Sequence, residues 1–228
     1  MARRKEHTHA QLHDMAINTV MAYLQTSTLA SLSLRKVATT IGYAPSTLIN
    51  IFGSYQQLLL SVSETVLEDL YSLLETALET ELRSSTSPTD PLHEQTDCYK
   101  DQPLQGATKA IEVLAQQYSQ FALSNPACFK LVFELSTPED MALSSSHQAT
   151  IDKLFQLVAL ELSRLFPRAI EQDIELMSRV LWGGIHGLTC LSLDGKLFSD
   201  TTQLPKMLTS HIQGYLSGMA KNKDVSCC

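Results

Sequence analysis

The chain has 228 residues, 44% of them apolar, with nine glycines, eight prolines and a net charge of −7. That length suffices for a substantial core in one large or two modest domains, and the acidic balance excludes a protein basic throughout, as a wholesale nucleic-acid binder would be. Apolar residues recur at helical spacing and helix breakers are sparse, so an all-α protein is expected.

The charge is unevenly placed. Residues 1–60 hold five Lys and Arg against two Asp and Glu, a net +3, and the remainder carries −10. A basic N-terminal quarter on an acidic body is the pattern expected when only that quarter meets a polyanion. The five cysteines, at 98, 128, 190, 227 and 228, have no paired spacing, which suits free thiols in a reducing cytoplasm. No apolar core follows the MARRKEH opening, so no signal peptide is expected. The most apolar run, Val180 to Leu193, contains His186 and is shorter than the ~20 residues of a membrane span.

In chain order, residues 1–8 read as a basic, flexible arm, able to reach phosphates or simply solvated. A first helix is predicted from about His9 to Gln25, with Leu12, Ala16, Val20, Tyr23 and Leu24 on one face. Thr26 to Leu32 is an exit loop. In SLRKVATTIGYAPSTLINIFGSYQQL, Ser33 is placed as an N-cap, and Leu34, Val37, Ala38 and Ile41 fall on one helical face. Gly42 ends that helix in the left-handed conformation, Pro45 opens the next at its first position, and Leu48, Ile49 and Phe52 resume the spacing. Two short helices about a glycine turn make a helix-turn-helix, whose second helix lies in a major groove of DNA. Arg35, Lys36, Ser46, Thr47, Asn50 and Tyr55 are the candidate DNA-binding residues. Asn50 has the chemistry to pair with adenine, and Arg35 to meet phosphate.

The stretch resembles the DNA-binding domain of the TetR (tetracycline repressor) family of transcriptional regulators. The resemblance rests on Ser33, Val37-Ala38, Gly42-Tyr43-Ala44, Thr47-Leu48, Asn50, Phe52 and Leu58. The family's two usual tyrosines are Ile49 and Ile51 here, and its usual phosphate-binding lysine is Tyr55, whose hydroxyl can still donate to phosphate.

A long helix is expected from Tyr55 to Leu82, on the order of 40 Å at 1.5 Å per residue, with Leu59, Val62, Val66, Leu70, Leu73 and Ala77 inward. Ser84 to Gln105, rich in Ser, Thr, Pro and Asp, reads as a mobile loop. Helices then follow at about Ala107–Leu123 and Ala127–Leu135. Ser136 to Ser146 reads as a loop, and further helices span His147–Phe166, Glu171–Leu193 and Gln203–Ala220. Gly183, Gly184 and Gly187 each cost about 0.5–1 kcal/mol inside a helix, and close approach of another helix backbone is the simplest reason for them.

Trp182, His186 and Gly187, with Asn125-Pro126 and Phe129 to Phe133, resemble the C-terminal half of TetR-type regulators of the WHG type. The resemblance implies an effector pocket, for which Tyr118, Phe121, Phe129, Phe133, Met177 and Trp182 are candidates, and a homodimer formed through the last two helices. The same aromatic residues also suit a plain core. His186 and Cys190, four apart, read as core neighbours and not as metal ligands.

The expected organisation is therefore all-α. A helix-turn-helix DNA-binding domain (1–54) is followed by a connecting helix (55–83), a loop (84–105), a helical effector-binding and dimerisation domain (106–222) and a tail (223–228). With no phosphate loop, nucleophile elbow or metal-ligand cluster, no enzyme activity, cofactor or metal is expected, nor any membrane association. The expected function is a cytoplasmic, ligand-responsive repressor that binds a pseudo-palindromic operator as a homodimer. The alternative is a helical protein-interaction adaptor whose DNA-reading surface has degenerated.

Overall fold

The computed structural model describes residues 7–85, 102–135, 143–197 and 201–225. Among them lie nine α-helices and no strand: α1 (His9–Leu24), α2 (Leu34–Thr40), α3 (Pro45–Phe52), α4 (Tyr55–Ser85), α5 (Gln102–Ser124), α6 (Pro126–Glu134), α7 (Ser145–Leu165), α8 (Glu171–Leu193) and α9 (Leu204–Val225). A short 3-10 turn at Leu29–Ser31 lies within the exit loop after α1.

The chain divides into two compact units. One holds the residues through Asp69 with Ser124–Thr150, and the other holds Leu70–Leu123 with Ile151 onward. In the first, α1, α2 and α3 pack against one another, and α6 joins α1. Its core is Leu12, Ala16, Val20, Leu24, Val37, Ala38 and Leu48, all buried. Removing such side chains from water at about 25 cal/mol per Å² is what drives three short helices together, since none is long enough to be stable alone. In the second unit α8 and α9 pack side by side. Leu181, Leu208, Ile212, Ile111 and Leu162 are almost wholly buried there.

Several sequence expectations need adjustment. His7 and Thr8, assigned to the flexible arm, are ordered: Thr8 caps α1 by accepting from the Gln11 N–H, and Gln11 Oε1 accepts from the Thr8 N–H in return. The ends of the loop read at 84–105 are helical, because α4 runs to Ser85 and α5 starts at Gln102; the rest of it lies outside the described residues. Likewise α7 begins at Ser145, and α9 continues to Val225, into the stretch read as a tail.

The buried stripe of α4 also departs from the reading. Leu59, Val62, Val66 and Leu70 are buried as expected, but Leu74 and Leu78 follow them inward, while Leu73 is 38% exposed. A one-residue offset is a 100° rotation around a helix, and with leucine at both 73 and 74 the periodicity alone does not choose between them. Packing makes the choice.

Of the three glycines in α8, Gly184 faces the imidazole of His211 on α9, which stands where a β-carbon would be. A side chain, not a helix backbone, makes the close approach. At Gly183 and Gly187 nothing lies within 4 Å of an added β-carbon.

Candidate nucleic-acid interface

Ser33 starts α2 by accepting from the Lys36 N–H at 3.3 Å. The helix ends in a Schellman turn: the Gly42 N–H donates to the Thr39 carbonyl at 3.1 Å and the Tyr43 N–H to the Ala38 carbonyl at 2.9 Å. Gly42 has φ +78°, and the space around it is open, so the requirement for glycine there is conformational and not steric.

The chain emerges into α3 with Pro45 at the first helical position and no side-chain cap at Ala44. The first-turn N–H groups of α3 therefore have no side-chain acceptor on the N-cap, the arrangement that favours an anion such as phosphate. Leu48, fully buried, anchors the helix against α1 and α2. Ser46, Ile49 and Asn50 are exposed, and Thr47 is half-buried. A second left-handed glycine, Gly53 at φ +82°, closes α3, and Ser54 caps the start of α4 by accepting from the Gln57 N–H at 3.0 Å.

The remaining candidates sit beside this helix in two different states. Arg35 is exposed near the start of α2. Lys36 is held at the junction of α1 and α2, where its ammonium donates to the Ser31 carbonyl and to the Tyr23 hydroxyl, the latter at 3.2 Å. A hydrogen bond with the Ser31 hydroxyl at 2.9 Å, together with that from Lys36, pulls the Tyr23 hydroxyl below its ordinary pKa. Tyr55, at the start of α4, is half-buried, and burial raises its pKa, so it remains a neutral phenol able to donate.

Two contacts not foreseen from the sequence align α1 with α3. His13 stacks on Phe52 with ring centroids 4.8 Å apart, and His7 Nδ1 lies 2.7 Å from the Tyr43 hydroxyl. Residue 7 thus pairs with the turn before α3 and residue 13 with the last residue of α3. No spacing rule links such partners, because each pair joins residues more than thirty apart.

The aromatic candidates of the body are divided between the units. Phe129 and Phe133 lie together on α6, ring centroids 4.7 Å apart, in the same unit as α1 to α3. Tyr118, Phe121, Met177 and Trp182 belong to the other. There the Tyr118 hydroxyl lies 2.8 Å from His186 Nδ1, Trp182 stacks on the His186 ring at 4.9 Å, and Phe155 meets Trp182 edge-on at 5.6 Å. Burial raises the Tyr118 pKa far above the phenol range, and it lowers that of His186, so burial favours the neutral form of both groups. Cys190 Sγ lies 3.9 Å from Nδ1 and 3.3 Å from Nε2 of the same ring. The thiol and the imidazole, four positions apart on α8, are thus in direct contact. Among the described residues no group of three or more His, Cys, Asp and Glu could hold a metal ion, and no helix is long and apolar enough to cross a membrane.

Three short helices packed around a glycine turn and followed by the long α4 and the further helices α5 to α9 define a helix-turn-helix fold. Residues 111–213, which include Trp182, His186 and Gly187, match the family described as tetracyclin repressor-like, C-terminal domain. That match takes in the C-terminal body of the chain, which is thus similar to the C-terminal domain of tetracyclin repressor-like proteins. Two solved structures share its fold across nearly the whole length. One is a Rhodococcus sp. RHA1 protein of unknown function, with 18% identity, a TM-score of 0.66, and coverage of 96% of this chain and 98% of the other. Another is the TetR family transcriptional regulator PfmR from Thermus thermophilus, with 16% identity, a TM-score of 0.51, and coverage of 91% and 97%. No curated protein matches the sequence.

Proposed function

We propose that this regulator is a ligand-responsive repressor that binds a pseudo-palindromic operator as a homodimer. The observation that carries DNA reading is the exposure of Ser46, Ile49 and Asn50 on one short helix whose opposite side is pinned by the fully buried Leu48. Asn50 supplies a bidentate partner for adenine, Ile49 an apolar contact for a thymine methyl, and Arg35 a phosphate contact. Tyr55 donates its phenol where relatives use a lysine.

Dimerisation rests on α8. Leu176, Val180, Gly183, Gly187 and Leu191 recur at intervals of three and four, and Leu176, Val180 and Leu191 are 63%, 48% and 41% exposed. A continuous apolar and small-residue stripe on one helix favours burial against another helix face. A second copy supplies that face with two-fold symmetry, and it would set the two α3 helices about 34–36 Å apart, one turn of DNA. The effector would bind in the body beside Tyr118, Phe121, Met177 and Trp182, and it would act by shifting the population of dimers away from that spacing.

The test is a fluorescence-anisotropy titration of the full chain against a duplex selected by it from a random pool, with a random duplex as reference. Selective, salt-dependent binding is expected, and Asn50→Ala should relax preference at one base position while Arg35→Ala weakens every sequence alike. Equal affinity for both duplexes would refute operator recognition, and binding to neither would leave the adaptor reading in its place.

A further inference from the structure

Where the end of α1 meets the start of α2, one ammonium is held among neutral oxygens. Lys36 donates to the Ser31 carbonyl and to the Tyr23 hydroxyl, and that hydroxyl is itself bonded to the Ser31 hydroxyl at 2.9 Å. An ammonium has three N–H donors, so one is left for a further acceptor. Because both partners are neutral, the charge is oriented and not cancelled. Arg83, Arg164, Arg179 and Lys196 are each paired with a carboxylate, whereas Arg35 and Lys36 have no such partner among the described residues, although the chain as a whole carries −7. Tyr23 and Lys36 also line a cleft of about 500 Å³ between α1 and α2, together with Thr19, Arg35, Thr39 and the buried Val37. Among the described residues no carboxylate lines it.

We infer that this cleft is a phosphate seat, in which Lys36 and Arg35 supply the charge and Tyr23 holds Lys36 in place. Two cations beside hydroxyl groups, with no carboxylate to compete, suit a compact anion that accepts several hydrogen bonds. In a helix-turn-helix the first helix, here α2, crosses the DNA backbone while the second lies in the groove, so the duplex itself is the source of the phosphate. That source rests on the DNA-binding reading above; the charge and lining of the cleft do not. A lysine side chain loses much rotamer freedom when it pairs with an anion, and here Ser31 and Tyr23 restrict it before the phosphate arrives. Tyr23 is thus a positioning residue and the two cations are the binding groups. Periodicity alone counts Tyr23 with the apolar face of α1, which hides this role.

The experiment compares the full-length chain with Lys36→Gln, Tyr23→Phe and the double variant. Affinity is measured for the selected duplex and the random duplex at several salt concentrations. Thermal melting is followed in parallel, with millimolar inorganic phosphate and with sodium chloride of equal ionic strength. Lys36→Gln should flatten the slope of log K against log salt by about 0.9, the share of one phosphate contact, for both duplexes alike. Tyr23→Phe keeps the charge, so it should keep the slope while weakening binding several-fold. In the double variant it should add little to the loss that Lys36→Gln already causes, because it acts through that lysine. Fully additive losses would overturn the positioning role of Tyr23. An unchanged slope in Lys36→Gln, with no effect of phosphate on melting and selective binding intact in the parent, would overturn the seat and leave recognition by α3 standing. Stabilisation by inorganic phosphate that Lys36→Gln abolishes, without a change of slope, would keep the seat and assign it to a free phosphate group. A parent chain that binds neither duplex and does not respond to phosphate would overturn both readings.

Discussion

The Tyr118 hydroxyl and His186 Nδ1, 68 positions apart in sequence, meet at 2.8 Å and join α5 to α8. Both groups are withdrawn from water, so the bond matters more for what its loss leaves exposed than for its own strength. Tyr118→Phe keeps the ring and removes the hydroxyl, taking this bond from a sheltered imidazole nitrogen. A loss of about 1–3 kcal/mol in urea unfolding is expected. An unchanged midpoint would mean that water replaces the phenol at no cost.

Two histidines make stability depend on pH in the same sense. Burial lowers the pKa of His186, and it lowers that of His147 against the opposing pull of the Glu64 carboxylate. Each folded value lies below the ordinary 6.5, so between the two the unfolded chain binds more protons than the folded one. The contribution is complete above about pH 6.5 and is lost as pH falls through the folded values. Denaturant midpoints should therefore drop from about pH 7.5 to about pH 5.5, and the drop should be smaller in His186→Gln, whatever that variant's stability at neutral pH.

Gly42 and Gly184 are required for different reasons, and alanine separates them. At Gly42 the cost is backbone conformation alone, about 1 kcal/mol or somewhat more, and no second substitution should recover it. At Gly184 the new methyl meets the His211 imidazole, whose buried Nε2 has no hydrogen-bond partner. Gly184→Ala should cost about 1–3 kcal/mol, and adding His211→Ala should return part of that loss. Strict additivity in thermal melts of the double variant would show that the two residues do not compete for the same space.

Lys36 and Arg35 are neighbours with different duties. Lys36→Met removes bonds to Ser31 and Tyr23, so it should lower stability by about 0.5–1 kcal/mol as well as altering DNA affinity. Arg35→Ala, at an exposed position, should lower DNA affinity and leave melting unchanged. Identical melting for both variants would remove Lys36 from the structural role given to it.

The stripe on α8 predicts the behaviour of surface charges. Leu176→Glu and Val180→Glu place a carboxylate at positions already open to solvent in a single chain, so the fold should survive while a dimer does not. Sedimentation equilibrium should report monomers for the pair of substitutions. A dimer that persists would place the interface elsewhere.

Much of this architecture was legible in the order of residues. Ser33, Gly42 and Pro45 mark a helix start, a left-handed stop and a restart within a dozen residues, and each acts through its own backbone, so each could be placed without knowing the fold. The bounds of α8 at Glu171 and Leu193 were legible for a similar reason, since a long apolar period runs unbroken between them. The candidates on α3 could also be assigned to a polar side, because a helix fixes which positions share a face.

The rest waited on tertiary structure because it depends on partners remote along the chain. Leucine at both 73 and 74 satisfies the period, and only packing turns one inward. Lys36 is a cation in sequence, but its tether to Tyr23 and Ser31 arises where α2 folds back beside the end of α1. The aromatic residues read as one pocket divide between two units, since periodicity gives each helix its inward face but not the element that face meets. By itself the sequence determined where helices begin and stop, because caps and turns are local; tertiary structure alone decided which side chains share a site, because burial and hydrogen bonding join residues that no local rule connects.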